Sequence, residues 1–165
     1  MVDREAAVTP VVGVILLLAI VIILAALVAS FAGGAADAKD PPPSTDLAVY
    51  PAGSEEKFTL VFEHRGGDQV RLRDLRINTW VHLPDGGLCA ASHEQEKLEG
   101  LFGTDIWRAG AGSNTGDLED TAGFLGLEEE KLREYVGRSA VVEVAIYHLP
   151  SGALLHKSSV LLKER

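Results

Sequence analysis

Residues Val8–Phe31 read VTPVVGVILLLAIVIILAALVASF, and this stretch decides the architecture. It is almost wholly Val, Ile, Leu and Ala, and no charged residue occurs from Ala6 to Ala36. A helix crosses a bilayer with about 20 apolar residues at ~1.5 Å rise each, whereas a secretory signal has an apolar core of about 7–15 residues and a basic start. Here the start is Met1-Val2-Asp3-Arg4-Glu5, one base against two acids. Residues 8–36 are therefore read as a membrane-spanning helix. Arg4 on one side and Lys39 on the other balance, so flanking bases do not set the orientation. All the folded mass follows the span, which puts a short tail inside and a head outside.

Pro10 and Gly13 stand near the start of the span, and small residues recur along it every four positions. Ala25, Ala29 and Gly33 form one line, and Ala26, Ser30 and Gly34 form the next. Lipid tails are as apolar as the helices, so association in a membrane rests on close packing of small faces and on local polar contacts. The two lines predict a helix-packing surface.

The run Ala7-Val8-Thr9-Pro10-Val11-Val12-Gly13-Val14-Ile15-Leu16, followed by an Ala- and Ile-rich helix to Ser30-Phe31, closely resembles the N-terminus of archaeal type IV pilins. The resemblance implies that a prepilin peptidase on the cytoplasmic side removes a short polar leader, residues 1–7, cutting between Ala7 and Val8 or, as the close alternative, after Ala6. Arg4 supplies the base of such a leader and is separated from the Ala7/Val8 junction by Glu5, Ala6 and Ala7. The glutamate that bacterial pilins carry in the mature helix is missing, which makes the resemblance archaeal. It also implies a non-enzymatic structural subunit that waits in membrane lipid. Pilus assembly machinery then packs it with copies of itself or other pilins into an adhesive surface filament. The competing reading is an uncleaved single-pass surface protein whose head binds a ligand or acts as a sensor.

After the helix, residues 37–46 form a linker in which Pro41-Pro42-Pro43 lack amide donors and favour an extended, semi-rigid path. The expected fold class is α+β: the long helix followed by a small antiparallel β-rich, sandwich-like head over 47–165. Phe58, Leu60 and Phe62 alternate as a half-buried strand does. His64 ends that strand, and Gly66-Gly67-Asp68 reads as a turn leading into a second strand from Val70. That second run slips phase at Asp74, as a bulge or bend would make it. Residues 127–136 read as a short helix closed by Gly137, and Pro150-Ser151-Gly152 as the turn of a closing hairpin. The His64, Gly66, Gly67, Asp68 turn and the hairpin are also similar to the soluble part of the same pilin family. Residues 84–126, rich in Gly, Ser and Asp, are expected to form long loops or an irregular stretch, which with the short helix makes up an insertion over 84–136.

The formal net charge of −9 and the absence of clustered bases exclude a nucleic-acid partner. Cys89 is the single cysteine, so no intrachain disulfide forms, and its expected role is a small buried apolar side chain. His82, Cys89, His93 and Glu94 are ligand types without the paired spacing of a structural metal site. His148 and His156 flank the final turn and could face each other, but they lack a third ligand. The Gly110–Gly116 run has no following Lys-Ser/Thr and reads as a flexible loop rather than a phosphate cradle. No cofactor, metal or catalytic residue is expected.

Overall fold

The computed structural model describes residues 5–34, 41–54, 57–138 and 140–163. Most of the expected leader, 1–4, and the stretch 35–40 of the helix end and linker lie outside these residues. The chain divides into two compact units, Met1–Lys39 and Asp40–Arg165. The first unit contains one helix, α1, Glu5–Gly34, 30 residues long. Leu, Ile, Val and Ala lose little by being helical, and the stretch is long enough to overcome the cost of helix nucleation. Pro10 lies inside it. Its ring has no amide hydrogen, so the carbonyl of Ala6, four residues earlier, loses its helical partner.

The second unit is the head. Its elements are β1 Thr45–Ala52, β2 Thr59–Gly67, β3 Val70–Arg71, β4 Leu75–His82, β5 Leu88–His93, α2 Gln95–Phe102, β6 Ile106–Trp107, β7 Gly112–Asn114, α3 Leu118–Leu125, α4 Glu129–Gly137, β8 Val141–His148 and β9 Ala153–Leu161. All strand pairs are antiparallel, in sheets of order β1-β2-β7 and β5-β4-β8-β9, with a small β3-β6 ribbon. Alternation sends Leu47, Val49, Leu60 and Phe62 from the first sheet, and Leu75, Ile77, Val81, Val142, Val144 and Ile146 from the second, into one shared core. Burying each such side chain contributes about 1.5–3 kcal/mol, so these faces carry the fold. β1 packs beside β9 on one side, while α3 touches β2 of one sheet and β4 and β5 of the other.

Two expectations are corrected here. The paired glycines do not form a hairpin turn: both lie in β2, where Gly66 pairs with Asp46 and Gly67 with Thr45. A bulge between Asp46 and Leu47 absorbs Arg65, and the following β3 pairs with β6 instead of β2. The phase slip at Asp74 is a 3-10 turn, Leu72–Asp74. Residues 84–126 hold regular structure in place of long loops, and they contribute Leu98, Trp107, Leu118 and Leu125 to the core. Short elements separated by glycines hide this from periodicity, since β6 and β7 have only two and three residues. The Gly110–Gly116 run supplies β7, whose Ser113 pairs with Phe62. The helix and the hairpin read from the last third are present as α4 and β8-β9.

Only Gly67 of the glycine pair has a backbone that demands glycine. Its φ is +95°, and a Cβ there would stand 2.1 Å from the Ser44 carbonyl oxygen, whereas a Cβ on Gly66 would meet nothing within 4 Å. Gly67→Ala is expected to lower stability by about 2 kcal/mol or more, and Gly66→Ala to change it by no more than about 0.5 kcal/mol. Urea unfolding of the membrane-solubilised chain, followed by tryptophan fluorescence, checks both values. Equal losses at the two positions would contradict this geometry.

His93 is buried at the end of β5, its ring stacked on Phe124 with centroids 4.0 Å apart. Its Nε2–H donates to the Phe124 carbonyl oxygen at 2.6 Å. Burial, the largest effect, lowers its pKa from the ordinary 6.5, and the nearby Lys97 charge lowers it further against that hydrogen bond. The unfolded chain then takes up a proton before the folded one does. Stability is therefore full above about pH 6.5 and falls as the pH drops below that value. Unfolding midpoints measured from pH 7.5 to 5 should decline on the acid side, and His93→Gln should flatten the decline. His156, whose pKa burial also lowers, leaves a residual slope.

Candidate functional site

Val11–Phe31 of α1 is an unbroken apolar run of 21 residues, and none of it is buried. At 1.5 Å per residue it extends about 32 Å, matching a hydrocarbon core of about 30 Å. Large side chains stand out all round it, with Val14, Leu17 and Val28 each about two-thirds exposed. Helical spacing stacks residues four apart on one face, so Ala25, Ala29 and Gly33 share a line. Ala26, Ser30 and Gly34 share the adjacent one. Together they form a strip roughly 12 Å long at the C-terminal end of the helix, where no side chain is larger than a hydroxymethyl group. Ala25, Ala26, Ala29 and Ser30 are exposed, and Gly33 and Gly34 are the last two helical residues. Ala7 and Val8 are the third and fourth residues of α1, at its first turn, and their side-chain surroundings fall outside the described residues.

The His64, Gly66, Gly67, Asp68 group forms a clasp at the start of the head. The Asp68 amide donates to the Ser44 carbonyl at 2.8 Å, and the Ser44 amide donates back to the Asp68 carboxylate at 3.0 Å. Asp68 thus binds a residue 24 positions away instead of local amides. His64 Nε2–H donates to the Asp68 carbonyl at 2.9 Å, and the His64 ring meets Trp107 edge-on at 5.5 Å. Trp107 Nε1–H and the His64 amide both donate to the Ala111 carbonyl. The first residue after the three prolines is therefore tied through Asp68 and His64 to a buried tryptophan. Ser44 escaped the sequence reading because nothing near it in the chain marks the partnership.

The remaining candidates are dispersed. His82 lies 3.7 Å from Glu143, and Glu94 pairs with Arg76. The half-buried Cys89 thiol donates to the Gly126 carbonyl at 3.1 Å. His148 bonds Ser151 and His156 bonds Ser158, and their strand partners are Ala153 and Ile146, so the two histidines do not face each other. Among the described residues no three His, Cys, Asp or Glu side chains gather as a metal site would require.

No curated protein matches the chain. Residues 6–47 match the family described as "Archaeal Type IV pilin, N-terminal". The match takes in the apolar helix, the prolines, Ser44 and the opening of β1, and it supports a pilin-like structural role. Residues 6–47 thus resemble an archaeal type IV pilin N-terminal domain, and the antiparallel β-rich head lies almost wholly outside the match.

Proposed function

We propose that this protein is the structural subunit of an archaeal type IV pilus-like filament. It is held in the membrane as a precursor with its head outside, cut between Ala7 and Val8 by a prepilin peptidase, and assembled by packing α1 against copies of itself or other pilins. The proposed parts are a leader over 1–7, a span and filament-core helix over 8–36, a linker from 37 through Ser44, and a head that opens with β1 at Thr45, two residues before the boundary expected from the sequence. The observation that carries this reading is the family match across 6–47, on a helix whose every side is exposed and apolar. Such a helix needs a non-aqueous neighbour in both states, lipid first and other helices afterwards. A repeated head-to-tail contact that never closes builds a helical fibre from one kind of subunit.

Pro10 supports the processing step. In a helix starting at Glu5 it interrupts the hydrogen-bond ladder, but in a chain starting at Val8 it is the third residue. There an amide has no helical partner in any case, and a proline costs nothing.

Peptide mass spectrometry of sheared surface filaments from the native cell should find chains beginning at Val8, with Ala7 as the alternative start. Molecules that all retain Asp3–Glu5 and stay in the membrane would replace this reading with the uncleaved surface protein. The double substitution Ala25→Leu with Ala29→Leu should leave membrane insertion intact, since Leu is at least as favourable in lipid, while holding helices apart. Filament yield by electron microscopy is expected to fall at least severalfold. Undiminished yield would show that a different face packs.

A further inference from the structure

Four large apolar side chains of the head are exposed among the described residues: Leu88 at 60%, Leu161 at 53%, Leu154 at 49% and Leu149 at 37%. Single exposed leucines scattered over a surface need no explanation, but these four are not scattered. All belong to the β5-β4-β8-β9 sheet or its last turn, and they fall in two pairs at opposite ends of it. Leu88, His82, Val141 and Leu161 stand in register, one from each strand, and form a row across the whole sheet. The row lies on the outer face, because the neighbouring Val81, Val142 and Val160 point into the core. Trp80 joins Leu88 and His82 around a cleft of about 280 Å³ at this end.

Further along the sheet, Arg76, Tyr147 and Leu154 form a second row on the same face, and Leu149 follows in the turn. At about 3.3 Å per residue the two rows are ~20 Å apart. Pro41 and Pro43 line a separate cleft with Asp74 and His148, so the chain enters the head at the Leu149–Leu154 end, and the cleft beside Leu88 is at the far end.

Charge limits what can cover these ends. The chain carries a net charge of −9, so two copies repel each other over most of their surfaces. On this face the ionised side chains are compensated internally. Glu143 is 3.1 Å from Lys157 and 3.7 Å from His82, and Arg76 is 2.6 Å from Glu94. The flanks of the first row add one charge of each sign, Asp85 before Leu88 and Lys163 after Leu161. The face is therefore apolar at both ends and neutral between them, which lets another copy of the same acidic chain approach here.

We propose that the two ends are the two halves of one contact between neighbouring heads, in which the Leu149–Leu154 turn of one copy seats against the Trp80, Leu88 and Leu161 end of the next. The inference rests on the filament reading above and names the head surfaces that the filament uses. An apolar patch that meets a pocket elsewhere on the same molecule makes a heterologous contact, which repeats without closing. One such contact covers all four leucines of every interior head. A two-fold contact of Leu88 end against Leu88 end closes at a dimer and leaves Leu149 and Leu154 in water.

Cross-linking of the full chain in the native cell tests this. Cys89→Ser removes the native thiol and keeps a donor for the Gly126 carbonyl. In that background Leu88→Cys and Leu154→Cys are introduced singly and together, and sheared filaments are treated with a short bis-maleimide. The paired variant should give a ladder of covalent multimers on denaturing gels, because each chain then links to both neighbours, and either single variant should stay monomeric. Leu88→Asp and Leu154→Asp form a second arm that needs no thiol. Both positions are exposed, so the thermal midpoint should hold while filament yield falls. Dimers from Leu88→Cys alone, filaments of the paired variant without a ladder, or undiminished yield in both aspartate variants overturns the contact and leaves the filament reading in place. Wild-type chains found only in the membrane overturn both.

Discussion

One stretch of 21 residues must be kept out of water, and that requirement governs the N-terminal unit of the protein. Val11–Phe31 exposes apolar side chains on every side of a single helix, with no polar face to turn toward solvent. Exposed apolar surface is unfavourable in proportion to its area, at about 25 cal/mol per Å², so a helix of this length cannot remain free in water. Lipid satisfies it without any specific contact. A bundle of similar helices would satisfy it through close packing of small faces.

The head answers a different problem. It has no intrachain disulfide, with Cys89 as its single cysteine, and the ion pairs Arg65–Glu63, Arg133–Glu129 and Arg138–Glu134 are at exposed side chains where each contributes little. Its stability therefore comes from the core shared by two sheets and three short helices. Phe62 is central to that arrangement, meeting Phe124 of α3 and Phe102 of α2 edge-on at 5.6 and 6.2 Å. Buried hydroxyls complete it: Thr115 accepts from the Leu60 amide and shares hydrogen bonds with Thr59 and Thr121.

Where the proline-rich stretch gives way to the head, the clasp converts a chain terminus into a fixed strand. Ser44 and Asp68 exchange hydrogen bonds, Gly67 lets the two backbones approach, and His64 ties the arrangement to Trp107. A terminal strand is ordinarily the first part of a domain to fray. Here Ser44, the residue just before β1, is held by Asp68, just after β2, and β1 is paired along its whole length.

Features encoded by neighbouring residues were legible in the sequence alone. The apolar helix needs only composition and length, and the small-residue lines need only the 3.6-residue period. The helix at Glu129–Gly137 and the hairpin around Pro150–Gly152 carry their own start and stop signals. The alternation of Leu60 and Phe62 marked β2 but could not say what β2 pairs with, since strand pairing is a contact between distant segments. The tertiary structure decided that Gly66 and Gly67 lie beside β1 instead of turning the chain, that the glycine run at 110–116 contains a strand, and that Asp68 holds Ser44. It alone aligned Leu88, Val141 and Leu161 in one row, because they come from three separate strands and no local pattern relates them. The physical reason is the same throughout: side-chain periodicity reports which face of an element is apolar, and only packing determines what that face meets.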